Sequence, residues 1–158
     1  MKRYINYFKY VIKHKWFVLV ACKRLSVPLY IGLLHDMSKF NPSEFFAYAK
    51  TFYKSDGGGQ YVENDAFNMA WNEHQKKNKH HWQYWVLTMD RGTSEPLEMP
   101  GRYVLEMVAD WFGAGRVITG EWGAKGWFEN NGHLMNLHPK TRNLVKEILR
   151  RESSVKYG

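Results

Sequence analysis

Lys2–Leu25 reads KRYINYFKYVIKHKWFVLVACKRL, and along it Tyr7, Val11, His14, Val18, Cys22 and Leu25 recur at steps of three and four residues. That period belongs to one face of an α-helix, and it decides the fold class because the same pattern returns further along the chain. A second helix is expected near Pro28, carrying Ile31, Leu34 and His35, since proline is tolerated in a first turn. Asn41-Pro42-Ser43-Glu44 breaks the pattern and starts a third helix through Phe52. Gly57-Gly58-Gly59 reads as a loop.

From about Val62 to Lys77 the spacing of Phe67, Ala70, Trp71 and His74 again predicts a helix, with a further short one expected over His80–Met89. Arg91–Pro100 reads as a loop, after which Tyr103, Met107, Asp110, Ala114 and Val117 share one helical face. Gly120–Gly132 is expected to be turn-rich, and His138-Pro139-Lys140 precedes a last helix through about Arg151. Alternation with period two is scarce, so the expected fold class is all-α.

The chain has 158 residues, 44% of them hydrophobic and 16% aromatic, which suits one globular unit over 1–158 with a core of its own. A formal charge of +8 favours an anionic partner such as a nucleotide or a nucleic acid, although the Lys and Arg residues are dispersed. Cys22, the single cysteine, cannot close an intramolecular disulfide and reads as a small core residue in a reducing cytoplasm. The apolar run Trp16–Cys22 falls far short of the roughly 20 residues needed to span a bilayer, so no membrane partner is expected.

Ligand-type residues fall where these helices should face the core. His14 and Asp110 each interrupt an apolar stripe, and His35, Asp36 and His74 sit near helix ends. Alone, His14 reads as a hydrogen-bonded core histidine, and Asp110 as the partner of a buried arginine or a helix cap. Taken together they have a different reading, because a carboxylate buried without a partner is costly and several such groups are reconciled by meeting around a cation. Imidazole with carboxylate suits Mn, Fe, Ni, Zn or Mg.

His35-Asp36-Met37-Ser38-Lys39 resembles the His-Asp signature of the HD-domain metal-dependent phosphohydrolases, with a lysine three positions after the Asp. His14, His35-Asp36, His74, His80-His81 and Asp110 follow the order of that superfamily's ligands across about 7–117, leaving 118–158 as a C-terminal elaboration. Asp36–Phe40, Glu44-Phe45 and Asn78–Trp82 are also similar to a small, poorly characterised HD-like family of bacteria and their phages. The Gly-Tyr-Pro element of the cyclic-dinucleotide-cleaving branch is absent.

The resemblance implies a single HD-like helical bundle, cytoplasmic in a bacterium or a phage-infected host. It implies one or two divalent ions on His14, His35, Asp36, His74, His80 or His81, and Asp110, with Asp36 bridging. The implied activity is hydrolysis of a nucleotide or related phosphate ester, Asp36 and Lys39 being catalytic and Lys39, Arg102 and Arg116 meeting the phosphate. Glu44 is placed to hydrogen-bond a ligand histidine or the attacking water, or to interact with its own helix dipole as an N-terminal helix carboxylate. Two other readings are a di-iron oxygenase on the same scaffold and a non-catalytic nucleotide- or nucleic-acid-binding protein.

Overall fold

The computed structural model describes residues 1–154, so 155–158 of the expected single unit lie outside the described residues. The fold is all-α. Its α-helices are α1 (Lys2–Arg24), α2 (Leu29–Leu34), α3 (Pro42–Phe52), α4 (Asp65–Lys77), α5 (Gly101–Thr119), α6 (Lys125–Asn131) and α7 (Pro139–Ser154). Tight 3-10 turns cover Met37–Phe40, Trp82–Trp85 and Gly132–Leu134.

Local chemistry accounts for several of these boundaries. Pro42 begins α3, where its missing N–H costs nothing. The Asn64 side chain accepts a hydrogen bond from the Phe67 amide and so caps α4. Gly120, at φ 82°, ends α5 in the left-handed conformation that glycine adopts without strain.

The long helices α1 and α5 form the spine, and they touch almost backbone to backbone. A Cβ placed on Gly113 would lie 2.5 Å from Val18 Cγ2 and 2.9 Å from the Val18 amide nitrogen, so the crossing requires glycine there. On one side of this spine Val18, Cys22, Val104, Val108, Val145 and Leu149 form a large apolar core with α7. On the other, Tyr7, Val11, Ala49, Phe67 and Ala70 join α1 to α3 and α4 in a smaller, aromatic one. His14 lies on α1 between Val11 of the second core and Val18 of the first, so a polar layer separates the two.

The expected helix over His80–Met89 is not formed. After one 3-10 turn, Val86–Thr88 (β1) pairs antiparallel with Ser94–Pro96 (β2), inside the segment expected as loop. The ribbon is closed by Gly92 at φ 82°, and β-branched Val86 and Thr88 favour it. Gly120–Gly132 is more helical than expected, because Trp127 and Phe128 dock on Trp111 and hold α6 in place. Among the described residues, no helix is long and apolar enough to cross a membrane.

Candidate metal centre

The polar layer is built from four sections of chain. α1 supplies His14 and α5 supplies Asp110, one turn before the close crossing at Gly113. His35 follows the last residue of α2, and Asp36 then adopts φ 54°, ψ 28°, a left-handed backbone that aspartate tolerates better than most residues. His74 stands near the end of α4, and His80 and His81 follow in the next turn. Lys15 fastens the His35-Asp36 corner by donating its ammonium to the carbonyls of Leu33 and His35.

The two oxygens of Asp36 face different halves of the cluster. Oδ2 lies 3.6 Å from His14 Nε2 and 3.3 Å from His35 Nε2. Asp110 Oδ1 completes that half at 3.1 Å from His14 Nε2 and 3.4 Å from His35 Nε2. Oδ1 of Asp36 lies 3.3 Å from His74 Nε2 and 3.4 Å from His80 Nε2, with His81 beside them.

These atoms are close without being aligned to hydrogen-bond one another. The Nε2 atoms of His14, His35, His74, His80 and His81 and Oδ1 of Asp36 are buried with no hydrogen-bond partner, while Oδ2 of Asp36 is paired with Lys39. Ligands about 2.1 Å from a shared ion stand roughly 3.0–3.4 Å apart in octahedral or tetrahedral geometry, which is close to the separations found. His14, His35, Asp36 and Asp110 can therefore hold one metal ion, and Asp36, His74, His80 and His81 a second.

Carboxylates behind the rings fix which nitrogen faces inward. Glu106 Oε1 lies 3.2 Å from His35 Nδ1 and 3.2 Å from His80 Nδ1. Glu44 Oε2 is 2.8 Å from His74 Nδ1 and also accepts from Ser38 Oγ, and Asn78 donates to that hydroxyl. A carboxylate on Nδ1 keeps the proton there and leaves the Nε2 lone pair for a cation. Glu44 is fully buried and its carboxylate meets the His74 ring.

The charges are strongly coupled. Burial alone would raise the Asp36 carboxyl, but His35 and Lys39 hold it well below the usual range. Asp110 is likewise held low against burial, by His14 and His35. Glu106 falls to about 2, burial being outweighed by His35 and His80. Burial opposes the charged form of His35, yet Asp36, Asp110 and Glu106 push it well above the ordinary histidine value. His81 moves the other way, lowered by burial and then by His80.

Lys39 returns from the 3-10 turn to place Nζ 2.6 Å from Asp36 Oδ2, with 17% of its side chain exposed. Arg102 and Arg116 both pack on aromatic rings. The Arg102 guanidinium covers the Tyr103 ring at 4.6 Å, about 12 Å along α5 from Asp110. Arg116 packs over Phe17 and Trp122. The residue that sequence reading missed is Glu106, which lies four positions before Asp110 and so on the same face of α5; the apolar stripe through Tyr103 and Met107 masked it. Cys22 is a buried core residue whose thiol burial pushes up to about 11.

No curated protein and no solved structure matches the chain. One family profile does, over residues 3–151, which spans every residue of the centre. The chain belongs to the family of unknown function DUF5662.

Proposed function

We propose that the protein is a divalent-metal-dependent phosphohydrolase with an HD-like site, acting on a nucleotide or related phosphate ester. The observation that carries this reading is Asp36, whose two buried oxygens each face a separate set of imidazole nitrogens. A carboxylate so placed would be shared by a pair of ions, and the His14, His35-Asp36, His74, His80-His81, Asp110 order supports the HD resemblance.

Divalent ions so held supply Lewis acidity to a phosphoryl oxygen and acidify a water. The chain's own residues set up the rest. Glu44 and Glu106 hold their histidines with Nδ1 protonated, so those rings need no reorganisation when ligands bind. Lys39 places a positive charge at the partly open edge of the cluster, where it can meet an anionic phosphate as a point charge. In the overall step, the water oxygen bonds to phosphorus, the bond from phosphorus to the ester oxygen breaks, and a water proton ends on the released alcohol.

The test is purification followed by elemental analysis, then a screen of metals against phosphate esters. Release of phosphate or alcohol that depends on Mn, Fe, Ni, Zn or Mg and is lost in Asp36→Asn supports the reading. Oxygen consumption by an iron-loaded protein with no ester turnover would replace it with the oxygenase alternative. Salt-dependent nucleic-acid binding without turnover would point to a binding protein.

A further inference from the structure

Two cavities flank the centre, and Trp71 lines both. The first, about 460 Å³, reaches Lys39 and is walled by Tyr10, Phe52, Tyr61 and Phe67. The second, about 380 Å³, reaches Asp110 and His81 and is walled by Trp82, Trp111 and Trp127. Trp71 stacks on His74 at 5.7 Å and meets His81 edge-on at 5.1 Å, so the shared wall stands directly over the second half of the cluster.

Each cavity is also lined by a residue whose side chain holds a buried, unpaired polar atom. Tyr7, 1% exposed, lines the first, and its hydroxyl is buried without a partner. Gln83 lines the second, and its side-chain oxygen is equally orphaned. Both volumes fall in the roughly 300–1,000 Å³ range of small-ligand pockets, and aromatic walls suit flat rings.

A phosphomonoester has one organic arm and would use one cavity. We propose that the substrate is a phosphodiester joining two ring-bearing groups, of the linear dinucleotide type, seated with its phosphorus at the centre and one ring in each aromatic cavity. This rests on the phosphohydrolase reading and deepens it. Water oxygen bonds to phosphorus, the bond from phosphorus to one arm's oxygen breaks, and a water proton passes to that oxygen. The products are an alcohol and a phosphomonoester, and water is the sole co-reactant.

The experiment compares the full-length Mn-loaded protein on linear 5′-phosphorylated diadenylate and on adenosine monophosphate, with Tyr61→Ala and Trp127→Ala alongside wild type. Tyr61 is 62% exposed and can be truncated without opening a core, whereas Trp127, 45% exposed, also docks α6 on Trp111, so its variant is scored with wild-type helical dichroism as the control. The expected kcat/KM favours the dinucleotide by at least about tenfold, and each variant raises its KM by about 5- to 150-fold, the range for loss of one base–aromatic stack. Equal or faster monoester hydrolysis, or two variants with wild-type KM, overturns the two-armed substrate and leaves the phosphohydrolase standing. If neither ester is hydrolysed with any metal, the phosphohydrolase reading fails, and quenching of tryptophan fluorescence then decides the cleft. Tighter binding of the dinucleotide that weakens in both variants supports it, and equal binding of the two nucleotides overturns it.

Discussion

At Asp36 the backbone enters the left-handed region while the side chain divides its oxygens between two groups of histidines. Asparagine keeps the same shape and tolerates the same backbone, whereas alanine adds about 1–2 kcal/mol of conformational strain. Asp36→Asn is therefore the cleaner probe, and it should lower bound metal to at most one ion per chain by elemental analysis while the far-ultraviolet dichroism stays helical. Glu106 offers a second test at this scale. One of its oxygens serves both His35 and His80, and the amide oxygen of Glu106→Gln can still reach both rings but without the negative charge that holds their Nδ1 protons in place. Metal affinity should fall about 10- to 100-fold in a chelator-competition titration, the usual effect of losing such a partner. An unchanged affinity would show that Glu106 does not orient the rings.

Among the elements, the α1–α5 crossing decides how close His14 and Asp110 come, since both lie within about a turn of the Val18–Gly113 contact. Gly113→Ala gains about 0.5–1 kcal/mol of helix propensity. It also forces a methyl group to within 2.5 Å of Val18 Cγ2 and 2.9 Å of the Val18 backbone, where overpacking costs about 1–3 kcal/mol. The clash should win, lowering the thermal midpoint and weakening metal retention together, and a paired Val18→Ala, which removes the Cγ2 contact but not the backbone one, should restore both only in part. This crossing also shows what the sequence could and could not say. The stripes through Tyr7, Val11, His14 and Val18 and through Met107 and Asp110 announced two helices with polar interruptions, because periodicity is a local property. That Gly113 must be glycine, and that Glu106 reaches two histidines from a distant segment, depends on which helices meet, and nothing local encodes that. The same reason explains β1, β2 and α6. Each is held by partners across a turn or on another helix, so a single window of sequence around it read as something else.

Across the whole molecule, the polar layer separates two apolar cores, so its occupancy bears on the stability of both. Without metal, His35 and His74 are pushed above the ordinary histidine value, burial being overcome by Asp36 together with Asp110 and Glu106 for the first and Glu44 for the second. A histidine raised on folding contributes stability that is complete below its unfolded value near 6.5 and is lost as pH rises through its folded value. The metal-free protein should thus be favoured by mild acid. Metal binding has the opposite sign, because each ligand nitrogen must be neutral and its proton is released on binding. Divalent metal at about a hundredfold excess over Kd adds about 2.7 kcal/mol, or roughly 5–10 °C in the midpoint of a domain this size. Differential scanning calorimetry with and without chelator, repeated between pH 6 and pH 8, should show that gap widening as pH rises. Calorimetric titration in buffers of different ionisation enthalpy should report proton release in the same range. A gap that is absent, or that narrows toward pH 8, would mean that the imidazoles hold the layer together through their own charges and that no cation belongs there.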